Sequence, residues 1–404
     1  MSVQLRNVGE LLSPNGPVFQ VAYTALRTVP ALAKWLVILL FVVNAKSWPL
    51  MWHIRVFRPV FRIWFQHRLL LWRTMFCSRP VREKRIDEWL DSVSPIGEGP
   101  FDKVDVYKTR ATTDESDYNG HLSNSSYAKT LDSARFYTAI AMFPMFLRSG
   151  GWIPLGGTHF IYLREIPMFA QYEVRSMVAS WDQKWLFIIH RFVTKSKGKK
   201  TKGKAAKSSP EQTGTPDQTQ AVQNILRASL STSADAISST NSPFPGTPIG
   251  TGSTPETSAA LKAAAASLVS TEEPDGATLH TIAVSGVCFK IGRITVPPAL
   301  VIAANGFSAP PSEFGSSLTA YSNKNPPPHW EKAKAVMSVP VGGSTKALRK
   351  LFKDGWRDVP ESERWWDQAL SGVIEQKRKA RLEAVSVLRS GMEGMKTLAS
   401  LGLE

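Results

Sequence analysis

Cysteine is nearly absent. Only Cys77 and Cys288 occur in 404 residues, far apart and without metal or redox spacing. That excludes a disulfide framework and points to a reducing compartment. Acid is scarce too: 33 Asp and Glu stand against 49 Lys and Arg, a net charge of +16. Such a balance attracts anions, whether a membrane surface, a nucleic acid or a small anionic ligand. No RNA-binding signature accompanies the basic clusters, so nucleic acid is not expected as a partner. A serine-hydrolase elbow is missing as well. Gly342-Gly343-Ser344 lacks the closing glycine and the strand–turn–helix setting. There is no repeat of fixed period, and no metal or redox cofactor is indicated.

What the chain does have is strong variation in texture. Residues 1–28 are polar and turn-rich, with Pro14-Asn15-Gly16-Pro17 as a breaker cluster. Residues 29–45 are apolar apart from Lys34 and are expected to form a transmembrane anchor, at the short end for a span. A buried helix is the competing reading. Residues 46–95 mix Trp, Phe, Leu and Arg and suit an interfacial helical region. Cations are sparse before the apolar run and dense after it, which places the bulk of the chain in the cytosol. A single-pass protein of the endoplasmic reticulum is compatible with that orientation.

From residue 96 the pattern is that of a folded domain. Phe101–Arg110 alternates as a strand. An acidic loop follows and turns through Asn119-Gly120. A helix is expected from Asn124 to about Leu147, bent or ended early by Pro144. Strands are expected near Thr158–Leu163, Tyr172–Trp181 and Trp185–Thr194, the last two joined by Asp182-Gln183-Lys184. Residues 195–279 are rich in Lys, Ser, Thr, Pro, Ala and Gly and read as a disordered insertion. A strand resumes within 280–300, so the insertion interrupts the domain 96–194 without ending it. Residues 301–359 read as a proline-rich loop region and 360–404 as a helical tail.

The most informative segment runs from Asp117 to Tyr127. It sets a carboxylate next to a helix N-terminus, whose free N–H groups can hold a developing negative charge. A base or nucleophile beside an oxyanion hole is what cleavage of an acyl thioester needs. Gly120 allows close backbone approach. A turn-forming aspartate is the plainer reading of Asp117.

Strand, acidic loop, long helix and four further strands resemble the hotdog fold, an α+β architecture in which an antiparallel sheet wraps a central helix. Asp117, Gly120, His121, Asn124 and Tyr127, with Asp132-Ser133-Ala134-Arg135 along the helix, are similar to the loop of 4-hydroxybenzoyl-CoA-thioesterase-like enzymes. Ser123 stands where an asparagine is usual. The N-terminal apolar segment and Gly157–Arg164 resemble the thioesterase-superfamily-member-6-like group and its fungal relatives. Hotdog hydratases space their acid and histidine one residue further apart and carry a proline that is absent here.

The resemblance implies that Asp117 is the catalytic carboxylate and that Gly120, His121, Ser123, Asn124 and Ser125 bind substrate or form the oxyanion hole. His121 has an alternative as a packed loop residue, and Asn124 as a plain N-cap. Asp132 is either a second carboxylate or the partner of Arg135 in an intrahelical ion pair. The expected function is a membrane-anchored hydrolase of acyl-CoA or acyl-carrier thioesters, working as a homodimer on a lipid membrane. The rival is a non-catalytic hotdog module that binds acyl groups or scaffolds partners.

Overall fold

The computed structural model describes residues 16–28, 31–195, 273–311 and 320–386. Four helices come first: α1 (Pro17–Thr28), α2 (Ala31–Val43), α3 (Met51–Arg73) and α4 (Arg79–Ser92). Pro17, expected to break structure, instead opens α1, where its missing N–H costs nothing.

α2 has 13 residues, against the roughly 20 needed to cross a bilayer. No helix among the described residues is long and apolar enough to cross a membrane. The expected transmembrane helix is therefore not found, because the helix stops at Val43 and the chain turns at Ala45–Ser47. Every residue from Trp35 to Val42 is at least half exposed, although all are apolar.

The sheet has the order β1-β3-β4-β5-β2 and is antiparallel throughout, with β6 paired to β5. Its strands are β1 (Asp105–Arg110), β2 (Leu155–Tyr162), β3 (Gln171–Trp181), β4 (Trp185–Lys195), β5 (Ala277–Ile291) and β6 (Ile294–Val296). The β3–β4 turn is closed by Asp182, whose Oδ1 accepts the N–H groups of Lys184 and Trp185, both at 2.6 Å. At the β2 bulge a Cβ on Gly156 would meet the Trp185 ring at 2.3 Å, so glycine lets the ring pack against the strand.

The long helix α5 (Asn124–Met142) lies across this sheet. Tyr127, Leu131 and Ala134 pack on Val174, Phe192 and Ala283. Pro144 ends it and starts the short α6 (Pro144–Arg148). The opposite face of the sheet is also covered: Met177, Ala179, Phe187, Ile189 and Val284 pack against Val385 of a helix over 373–386. Together these layers make the hotdog arrangement, a long helix against an antiparallel sheet, with extra helices around it.

Part of the expected loop region 301–359 is helical. α7 (Pro298–Ala304), α8 (Pro328–Met337) and α9 (Thr345–Lys350) occupy much of it, followed by α10 (Trp365–Ala369). Pro298 and Pro328 each sit at a first helical position, where a fixed φ helps. These helices build the largest apolar cluster, with Trp330, Phe352, Trp365 and Trp366 around Phe146 and Phe289. Most of the expected insertion 195–279, and the end of the tail after residue 386, lie outside the described residues.

Candidate functional site

The loop between β1 and α5 is built by backbone pairing. Asp117 N–H donates to the His121 carbonyl at 2.8 Å and Gly120 N–H to the Asp117 carbonyl at 3.1 Å. Gly120 has φ +77°, a left-handed turn that favours glycine. A second segment then locks the loop down. Leu122 N–H donates to Ile166 and Met168 N–H to Gly120, both at 2.8 Å.

The Asp117 side chain is exposed. Its Oδ1 accepts the N–H of Asn119 at 2.9 Å and of His121 at 3.2 Å. It was expected to face the helix start; one oxygen instead turns back onto its own loop, as aspartates before Asn-Gly do. Oδ2 has no hydrogen-bond partner among the described residues. His121 is half-buried, with Nδ1 3.0 Å from the Glu165 carboxylate.

Ser123 precedes α5 and gives its N–H to the Glu115 carbonyl at 2.9 Å. Its hydroxyl contacts those of Ser125 and Ser126 and makes no cap to the backbone. Asn124 and Ser125 are exposed, and at a helix start their N–H groups have no intrahelical carbonyl to reach. This end of the helix can accept an anion. Asp132 is paired with Arg135, the plainer of the two expectations for it. Arg135 then reaches under the helix to Thr158 Oγ1 at 3.0 Å and Ser285 Oγ at 3.3 Å. Tyr127 is buried in the core between Tyr162 and Phe192.

Two further titratable groups were not visible in the sequence. Glu115, two residues before Asp117, is only 2% exposed at its side chain and binds Lys46 Nζ at 2.8 Å and Arg55 Nη1 at 3.2 Å. Burial alone would raise its carboxyl, but the two cations outweigh that and hold it below its ordinary value. His190 is fully buried on β4, with Nδ1 2.8 Å from Ser176 Oγ. Burial, helped by Arg135, pushes it down to about 3, so it is neutral. The only advance signal for Glu115 was its place in the acidic loop. Among the described residues no three His, Cys, Asp or Glu side chains are grouped to hold a metal ion.

Residues 111–221 match the family model of the thioesterase-like superfamily. Thioesterase poxG from Penicillium oxalicum is 27% identical over 183 residues, covering 40% of this chain and 53% of its own length. Protein THEM6 from Danio rerio is 31% identical over 95 residues, covering 23% and 47%. A solved 1,4-dihydroxy-2-naphthoyl-CoA thioesterase from Synechocystis has a TM-score of 0.27 and 6% identity, covering 50% of this chain and 96% of its own. The chain thus spans about half the length of the curated relatives it matches. The match to the thioesterase-like superfamily takes in the Asp117 loop, α5 and strands β2 to β4.

Proposed function

We propose that this protein hydrolyses acyl thioesters at a membrane surface. The observation that carries the reading is the loop itself: in the segment that matches the thioesterase-like superfamily, Asp117 stands in the loop that leads into the open amide end of α5. In the reaction, the free Asp117 oxygen takes a proton from water. The resulting hydroxyl adds to the thioester carbonyl. The oxyanion that forms is held by N–H groups of Asn124 and Ser125. The carbon–sulfur bond then breaks, and the thiolate leaves and takes up the proton, giving a carboxylic acid and a thiol. The substrate is an acyl-CoA or an acyl chain on a carrier.

In the single chain Asp117 is open to solvent, and in this reading a second copy closes the site. The free edge of the sheet at β2, with Leu155 and Tyr162 exposed, is where we place that partner. The exposed apolar α2 rests on the bilayer surface without crossing it. Arginines of α3 meet anionic headgroups.

The test is thiol release from a panel of acyl-CoAs by the full chain and by Asp117→Asn. Wild type should turn over, and the variant should lose at least about a hundredfold in kcat/KM. A second reading, an acyl-binding module without turnover, is favoured by the exposure of Asp117 and by the loop hydrogen bonds that occupy its Oδ1. No thiol from any thioester, together with saturable acyl-CoA binding, would establish that reading instead.

A further inference from the structure

The helix α3 has two different sides. Outward it shows apolar side chains to solvent: Ile54, Phe61, Trp64, Phe65 and Trp72 are all more than half exposed. Toward α4 and α5 it leaves a groove of about 580 Å³. Helix spacing makes the division. Arg58, Arg62, Gln66, Leu69 and Arg73 recur every three or four residues along the groove, on a different face from Phe61 and Trp64.

The inside of the groove is apolar. Ile63, Leu69 and Leu70 of α3 are half-buried there, as are Val93 and Ala141, and Ile140 of α5 is buried. Its edge is cationic, with Arg58, Arg62 and Arg73 all exposed. None of the residues that line it is Asp or Glu. The three arginines have no acidic partner among the described residues, whereas Arg55 on the same helix binds Glu115 at 3.2 Å.

Arg58 and Arg62 are one turn apart, about 6 Å along the helix axis. Like charges at that spacing repel, and two guanidinium groups so placed close on one phosphate. Arg73 lies about 16 Å beyond Arg62 along the axis, too far to share that phosphate. Between the two ends the lining is hydrocarbon apart from Gln66. The groove is therefore shaped for a molecule with a phosphate at one end and an apolar chain behind it.

We propose that this groove binds one molecule of an anionic phospholipid. The phosphate lies between Arg58 and Arg62, and one acyl chain runs along Ile63, Leu70 and Ile140 toward Arg73. The outer side of α3, rich in Trp and Phe, rests at the headgroup level, where the lipid is at hand. The assignment rests on the membrane reading above and deepens it: a general attraction of arginines to headgroups becomes a specific site with one occupant. A cavity of this size holds a single small molecule. A nucleic acid would use the arginines and leave the apolar floor unused.

Binding is measured by calorimetry on the full chain with dioctanoyl phosphatidylglycerol, kept below the concentration at which it forms micelles, so that no bilayer is involved. Wild type should bind it saturably, one to one. Glycerol 3-phosphate, which has the phosphate and no chains, should bind at least about tenfold more weakly, and dioctanoyl phosphatidylcholine, which has the chains and no net charge, should also bind more weakly. Arg58→Gln/Arg62→Gln should weaken binding of the phosphatidylglycerol at least about tenfold, and Arg73→Gln less than about twofold. Both sets of side chains are exposed, so the thermal midpoint should not move. Ala141→Phe, which fills the floor and leaves every arginine in place, should abolish binding. Unchanged affinity in the double arginine variant, or in Ala141→Phe, overturns the assignment. Glycerol 3-phosphate binding as tightly as the lipid would leave a bare phosphate site and overturn it too. Leu36→Asp/Leu40→Asp should still bind the soluble lipid even where it no longer sediments with vesicles, so failure of the groove and failure of the membrane reading are told apart.

Discussion

Lys46 Nζ lies 2.8 Å from a carboxylate oxygen of Glu115, across 69 residues of sequence. The contact joins the turn after the exposed helix α2 to the loop that carries Asp117. Lys46 also donates to Thr109 Oγ1 at 3.1 Å and to the Arg110 carbonyl, and Thr113 donates to Asn44 Oδ1 at 2.6 Å. The Glu115 carbonyl, meanwhile, accepts the N–H of Ser123 at the start of α5. One residue thus ties the N-terminal helices, the loop and the central helix together.

Glu115→Leu should destabilise the fold by about 2–4 kcal/mol, because Lys46 and Arg55 are left with no counter-charge in a largely buried place. Urea unfolding at pH 7 measures it. The wild-type contribution is present at neutral pH and lost on acidification. The carboxylate is held below its ordinary value in the folded chain, so the unfolded chain takes up the proton first as pH falls. Glu115→Gln should therefore flatten the stability profile at acid pH. An unchanged profile would show that the pair does not stabilise the fold.

Asp105 should do the opposite. It opens β1 with a buried Oδ2 that lacks a partner among the described residues. Burial, with Lys103 opposing and Glu98 assisting, pushes its carboxyl from 3.8 up to about 6. The folded chain keeps the proton longer, so a penalty grows as pH rises through about 6. Asp105→Asn should be more stable than wild type by about 1–2 kcal/mol at pH 8 and equal to it near pH 4. Thermal unfolding at both pH values decides it.

His190 sets a second acid-sensitive window. Its ordinary value is 6.5, and in the fold it is pushed down to about 3. Between these values the unfolded chain binds a proton that the folded chain refuses. Stability therefore falls as pH drops through this range. His190→Gln should remove about 2–4 kcal/mol of that fall, read as the difference between the two proteins' unfolding curves at pH 4 and 7.

The helix α2 makes a prediction about attachment. Leu36→Asp/Leu40→Asp should abolish sedimentation with phosphatidylserine vesicles while the thermal midpoint stays put, since both side chains are more than half exposed. Wild type should be released by alkaline carbonate, as expected of a helix too short to span. Carbonate-resistant wild type would mean that a span forms after all.

Local signals made much of the sheet legible. Asp182 marked the β3–β4 turn because its side chain closes that turn without outside help. Asn124 marked the helix start, and Pro144 its end, for equally local reasons. The face of β3 was less legible, since both sides of that strand are covered and Gln171 alone along it is exposed. Pro298 and Pro328 misled, because a proline that opens a helix and one that sits in a loop look alike without the following contacts. The Glu115 pairing and the groove between α3 and α5 were out of reach, because each needs positions about 60 to 80 apart in the chain to meet. For Asp117 the sequence supplied the residue and its turn, but not the direction of its oxygens.

Lys195 and Ala277 are direct partners across β4 and β5. The chain therefore leaves the sheet and re-enters it at the same rung. The sequence between those two residues joins two ends that are already neighbours. Its length adds to the closure entropy only logarithmically, and the register of the two strands does not depend on it. Evolution, or an engineer, can lengthen or trim that span without re-cutting the domain it interrupts.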